Sequence, residues 1–196
     1  LLYSGIIISN QAQTIPEGND IMKRKITEQL VNWKNSPSRK PLILNGARQV
    51  GKTFILREFG RENYKNVVYI NLESNETAAS MFEGDIIPNR LIKCLEAEVG
   101  ERIFPNETLI IFDEIQSCER AVTSLKYFCE ETPEYHIAAA GSLLGVAINR
   151  NKTSFPVGKV NVIQLYPMDF EEFLWATNND LLCDEIKRCK SEAKRS

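Results

Sequence analysis

Gly46-Ala47-Arg48-Gln49-Val50-Gly51-Lys52-Thr53 follows directly on the apolar run Leu42-Ile43-Leu44 and precedes a stretch with helical spacing at Phe54, Leu56 and Phe59. The eight residues fit G-x-x-x-x-G-K-[ST], the phosphate-binding P-loop or Walker A pattern. Two glycines let the backbone wrap close to phosphate oxygens, so that successive amide N–H groups point inward as an anion nest. The helix that begins near Lys52 adds the positive end of its dipole. Gly46 through Thr53, with Phe54 beside them, are therefore the expected nucleotide-binding residues. Lys52 is expected to reach the β- and γ-phosphates, and the Thr53 hydroxyl to ligand Mg²⁺.

A second element lies about sixty residues further on. Leu109-Ile110-Ile111-Phe112-Asp113-Glu114 is a continuous apolar run that ends in two carboxylates, the Walker B pattern. A fully buried parallel strand reads this way, and ligands of open α/β sheets bind at the carboxyl ends of such strands. Asp113 is placed to hold Mg²⁺ through its water shell. Glu114 is placed to accept a proton from an attacking water, or to orient that water.

Working outward, five strands are expected at 42–45, 67–71, 109–113, 137–140 and 160–165, with helical patterns between most of them. Leu91, Leu95 and Val99 mark one such helix, and Val122, Leu125, Tyr127 and Phe128 another. Strands alternating with helices imply right-handed βαβ units and a parallel sheet covered on both faces. The fold class is thus α/β, a P-loop three-layer sandwich with a five-stranded, mainly parallel sheet. Folds of this kind that use a catalytic glutamate insert a further strand between the P-loop strand and the acidic strand. Strand 137–140 is expected there.

The end of that strand delivers Ala139-Ala140-Gly141-Ser142 to the same edge as Thr53 and Asp113. Ser142 reads in two compatible ways, as a sensor of the γ-phosphate or attacking water, and as the cap of a helix over 143–146. Arg150, Lys152 and Lys159 follow as candidates for stabilising charge on a transferring phosphoryl group, in cis or on a neighbouring subunit, against a plainer reading as solvated loop charges. Asp169 is an expected N-cap, and Phe170, Phe173 and Leu174 an expected packing face.

Residues 1–21 read as a weakly structured extension, because Pro16, Gly18 and Asn19 break any periodicity. From Met22 the pattern changes, with Ile26, Leu30 and Trp33 on one helical face and Asn35-Ser36-Pro37 ending it. The domain is expected over 22–180, and 181–196 as a basic tail. Hydrophobic residues make up 43% and charged residues 26%, the balance of a folded globular protein. A net charge of −2 gives no overall electrostatic attraction to nucleic acid or anionic membrane. Five cysteines without a C-x-x-C pair fit reduced thiols in a cytoplasm. A single histidine, His136, argues against a histidine-built metal site, and no run approaches a membrane span.

With both nucleotide motifs and the strand count in view, the chain resembles a prokaryotic family of AAA-type ATPases. The resemblance rests on 39–53, Val67-Val68-Tyr69-Ile70-Asn71, Asp113-Glu114-Ile115-Gln116, Leu125-Lys126-Tyr127-Phe128, Ala140-Gly141-Ser142-Leu143-Leu144-Gly145, and Phe155-Pro156-Val157-Gly158-Lys159 through Leu174. It implies an AAA-like sheet, ATP with Mg²⁺, and Lys52, Thr53, Asp113 and Glu114 in the roles given above. Members of that family continue into a C-terminal domain beyond the core. An unknown protein client, any nucleic acid contact and any oligomer are expected of such longer relatives.

The leading functional expectation is ATP hydrolysis coupled to that client. The alternatives are a nucleotide-dependent interaction module with negligible hydrolysis, and a P-loop kinase. Glu114 after Asp113 favours water activation over transfer to a substrate, and no arginine-rich lid helix is evident between Ser142 and Val160.

Overall fold

The computed structural model describes residues 23–142 and 155–193. Helix α1 (Ile26–Asn35) leads to β1 (Leu42–Asn45), α2 (Lys52–Asn63) and β2 (Asn66–Asn71). A short α3 (Glu76–Ser80) and α4 (Pro88–Val99) precede β3 (Thr108–Asp113). A 3₁₀ turn (Ile115–Ser117), α5 (Glu119–Glu131), β4 (His136–Gly141), β5 (Asn161–Gln164), α6 (Phe170–Ala176) and α7 (Asp180–Ala193) follow.

The strands form one sheet in the order β2-β3-β4-β1-β5, and every neighbouring pair is parallel. β4 lies between the P-loop strand β1 and the acidic strand β3, the place expected for the inserted strand. Expected and observed strand bounds differ by a residue at several ends, where hydrogen bonding rather than hydrophobicity sets the limit.

Period-2 alternation sorts the buried strands onto two faces. Leu42, Leu44, Leu109, Ile111, Ala138 and Ala140 pack with α1 and α2 through Leu30, Trp33, Leu56 and Phe59. Ile43, Ile110, Phe112, Ile137 and Ala139 pack on the other face with Phe82, Leu91, Leu95, Leu125 and Phe128. Strands β1, β3 and β4 are therefore dry on both faces, which is why β3 and β4 read as unbroken apolar runs. The edge strand β5 leaves Val162 and Gln164 exposed. The short helix α3 was not foreseen; the Asn75 side chain caps it by accepting the Ala78 N–H at 2.9 Å.

His136 opens β4 and is buried, with the Tyr64 hydroxyl 2.7 Å from Nδ1 and Asn106 Oδ1 3.3 Å from Nε2. Burial first, and then the nearby Arg39 and Lys34 cations, push its pKa down to about 4.

The C-terminal region departs from expectation. Asp169 does cap α6, in a reciprocal capping box with Glu172. Its expected packing face is only partly formed, because Leu174 is buried while Phe170 and Phe173 are 63% and 50% exposed. Glu172 takes the inward position instead, paired with Arg24 Nε at 3.1 Å. Residues 180–193 are helical rather than a bare tail. Leu182, Cys183 and Ile186 have helical spacing, Cys183 is buried, and Lys187 pairs with Glu171 of α6.

The expected extension over 1–21 and start at Met22, the helix over 143–146, Arg150 and Lys152 lie outside the described residues. Among the described residues, no helix is long and apolar enough to cross a membrane.

Candidate functional site

Because β1, β3 and β4 run parallel, Asn45, Asp113 and Gly141 all finish at one edge of the sheet. Gly141 pairs in register with Asn45, which brings the buried Ser142 to the level of Gly46.

The loop from Gly46 to Gly51 crosses this edge. A β-carbon on Gly46 would lie 2.5 Å from the Leu165 carbonyl oxygen and 3.2 Å from Val50 Cγ2, so only glycine fits. The Leu165 N–H donates to the Asn45 carbonyl at 2.7 Å, fixing that neighbour in place. Ala47, Arg48 and Gln49 are exposed, and Val50 is half-buried. Gln49 (φ 64°) and Gly51 (φ 93°) both hold left-handed backbone. Left-handed residues set among right-handed ones turn amide N–H groups to one side, the geometry of an anion nest. The β-carbon of Gln49 makes its conformation costly, by about 1–3 kcal/mol, a strain of the kind that gathers at ligand clamps.

Gly51 caps α2, and the Ile55 N–H returns to its carbonyl at 3.0 Å. The N–H groups of Lys52, Thr53 and Phe54 precede that first helical bond and belong to the donor-rich helix start. The Phe54 ring packs toward the α1–α2 core, so its backbone is what it can offer a ligand.

Lys52 is 6% exposed, and its Nζ donates to the carbonyls of Gly46 at 3.0 Å and Ala47 at 2.7 Å. Burial lowers its pKa from the usual lysine value, against the opposing pull of Glu114 and Asp113. The ammonium is thus held at the loop by dipoles alone, with two carboxylates nearby.

Thr53 Oγ1 donates to Asp113 Oδ2 at 2.7 Å, joining the two motifs. The Tyr69 hydroxyl donates to the same oxygen at 2.8 Å, and the Glu114 N–H donates to Oδ1 at 3.0 Å. Burial, and then the bond to Asp113, push the Tyr69 phenol up to about 12, so it stays a donor. Glu114 follows in left-handed backbone (φ 48°), with its carbonyl accepting the Ser117 N–H at 2.9 Å. The Gln116 side-chain amide donates to Glu114 Oε2, and Gln116 Oε1 is buried with no hydrogen-bond partner.

These donors fit Mg²⁺ with a nucleotide. A hydroxyl and a carboxylate oxygen at one point suit a hard cation that keeps most of its shell as water and phosphate. Among the described residues, no cluster of three His, Cys, Asp or Glu side chains offers a self-contained metal site.

Lys159 does not join this group. β5 is parallel to β1, with Asn161 opposite Leu42, so Lys159 lies beyond the amino end of the sheet. There it pairs with Glu130 at 2.8 Å. Within one chain it is at the wrong edge to serve the loop, which corrects its candidacy in cis.

Sequence reasoning assigned no role to Tyr69 or Gln116. Tyr69 carried a faint signal, as a polar-tipped aromatic on the same alternation face as Asp113 in the neighbouring strand. Gln116 carried none beyond its nearness to Glu114.

A family model described as AAA domain matches residues 38–174. No curated protein matches the chain. Among solved structures, it is similar to the Aeropyrum pernix ORC1 protein in complex with DNA, at 19% identity and a TM-score of 0.44, over 71% of this chain. The chain spans 43% of the length of that protein. The family match covers more than half of the residues, and it includes the loop at Gly46–Thr53, the Asp113–Glu114 pair and Ser142: this chain belongs to the AAA domain family and is an AAA-like nucleotide-binding protein.

Proposed function

We propose that this chain binds ATP with Mg²⁺ and hydrolyses it, coupling turnover to a protein client. The observation that carries the reading is the 2.7 Å bond between Thr53 and Asp113, which unites P-loop and acidic strand at one point.

In this reading the backbone from Gly46 to Phe54 binds the phosphates, and Lys52 presents its charge to the β- and γ-oxygens. Thr53 and Asp113 hold Mg²⁺, which neutralises charge on the transferring phosphoryl group when bound. Glu114 accepts the proton of the attacking water or orients it, and Ser142 contacts the γ-phosphate side of the site. The Gln116 amide engages one of the two Glu114 carboxylate oxygens, and this tether favours slow turnover. That contact also supports the second reading, a nucleotide-dependent interaction module with negligible hydrolysis. The five free thiols support a reducing, cytoplasmic setting.

The test is ATP affinity and phosphate release measured on the same purified chain, with Glu114→Gln alongside. ATP binding is expected in both, with turnover lower in the variant by about 10²-fold. Equal turnover removes Glu114 from the chemistry. Binding without release in the parent selects the module.

A further inference from the structure

Asp113 is 4% exposed and accepts three hydrogen bonds, yet two of its donors are poor anchors. The Glu114 N–H belongs to the adjacent residue and moves with the same backbone. Thr53 sits on the P-loop helix and is itself bound for the cation in the reading above. Tyr69 alone comes from another strand and has no other ligand duty.

Its position suits that task. In the β2–β3 register Asn71 lies opposite Asp113 and Tyr69 opposite Ile111, so Tyr69 stands diagonal to Asp113 on the same face. Long aromatic side chains can span such a diagonal. The phenol reaches Oδ2 at 2.8 Å, on the oxygen that also takes the Thr53 proton. The ring is held in turn, with the Arg57 guanidinium 5.0 Å from its centroid. The Asn71 side-chain Oδ1, at the end of the same strand, accepts the N–H groups of Glu73 and Ser74.

We propose that Tyr69 is a positioning residue, which fixes the Asp113 carboxylate and through it the strength of Mg²⁺ binding beside the nucleotide. This rests on the ATP–Mg²⁺ reading above. A group that hydrogen-bonds a metal-holding carboxylate orients it, and losing such a partner weakens metal affinity while leaving other ligand contacts alone.

The test titrates the affinity for a fluorescent ATP analogue against Mg²⁺ concentration, for the parent, Tyr69→Phe, Asp113→Asn and the double variant. In EDTA, Tyr69→Phe is expected to bind within about twofold of the parent, since phosphate contacts are untouched. Its half-maximal Mg²⁺ concentration is expected to rise by about tenfold. In the Asp113→Asn background the same change is expected to shift the midpoint by less than about twofold, because Tyr69 acts through the carboxylate. Equal Mg²⁺ midpoints for parent and Tyr69→Phe overturn the inference, and so does an equal shift in both backgrounds. Loss of metal-free binding or of the folded circular dichroism spectrum in Tyr69→Phe assigns the hydroxyl to general stability and also overturns it. A parent that binds the analogue with no Mg²⁺ dependence overturns the ATP–Mg²⁺ reading itself.

Discussion

Thr53 Oγ1 lies 2.7 Å from Asp113 Oδ2, so a hydroxyl in the first turn of α2 and a carboxylate ending β3 act as one unit across 60 positions of sequence. The bond is charge-assisted and largely shielded from solvent, a class that contributes about 1.5–3 kcal/mol. Thr53→Val keeps the shape and removes the donor. We expect a loss of about 1–3 kcal/mol in urea unfolding, since Tyr69 and the Glu114 N–H still serve the carboxylate. Mg²⁺-dependent ATP affinity should fall by about tenfold or more, read by calorimetry.

Lys52 should separate binding from stability in opposite directions. Its folded pKa lies below the usual 10.5 because burial disfavours the ammonium. In the window below 10.5 the unfolded chain binds more protons, so stability rises as pH climbs through it and the cost is complete at neutral pH. Lys52→Met removes that cost. Its melting temperature at pH 7 should exceed the parent's, with the gap closing as pH rises toward 10.5. ATP affinity should fall tenfold or more, because a charged contact to phosphate is lost. A variant that melts lower and binds ATP as the parent does contradicts both halves.

The parts legible in the sequence are those where one residue type has one physical reason. Continuous apolar runs specify strands dry on both faces; at the P-loop, Gly46 leaves no room for a β-carbon and Gly51 holds a positive φ. Asp113 and Glu114 were readable because two acids at the end of a buried strand need a purpose. Tyr69 was not, since its meaning lies in a diagonal to a neighbouring strand that only the assembled register creates. Glu172 was hidden for a related reason. A carboxylate in the first turn of an amphipathic helix reads as solvated, and only the fold brings Arg24 against it from the other end of the chain. The exposure of Phe170 and Phe173 follows, because the inward side of that turn was already filled. The basic residues of α7 suppressed the helical spacing of Leu182, Cys183 and Ile186 among them.

His136 should act as an acid-labile element of the fold. Its pKa of about 4, against a usual 6.5, means that the unfolded chain takes up a proton first as pH falls. Stability from the neutral imidazole is complete above 6.5 and is lost progressively down to about 4. The loss is at most about 3 kcal/mol. The chain has one histidine, so its imidazole resonances in proton NMR are unambiguous. They should titrate with a midpoint near 4, and His136→Gln should flatten the fall of the urea midpoint between pH 6.5 and 4. A midpoint above 6 contradicts the buried neutral assignment.

The Arg24–Glu172 pair ties the start of α1 to the first turn of α6, and both side chains are under 10% exposed, at 5% and 8%. Arg24 also donates to the Tyr166 carbonyl at 2.8 Å, one residue past the Leu165 carbonyl that closes over Gly46. Glu172 in addition accepts the Lys25 N–H at 2.8 Å and the Asp169 N–H at 3.1 Å. Such a pair contributes little net stability against a well-packed apolar substitute, but removing one member strands the other charge in a dry site. Glu172→Ala should therefore cost about 3–5 kcal/mol, a fall in melting temperature of roughly 10 °C for a chain of this size. Arg24→Met combined with Glu172→Leu should recover most of that loss, although the capping bond to Asp169 is still missing. If the single variant melts with the parent, the two side chains are solvated and the strap between α1 and α6 does not exist. If the double variant is no better than the single one, the cost lies in the capping box rather than in the buried charge.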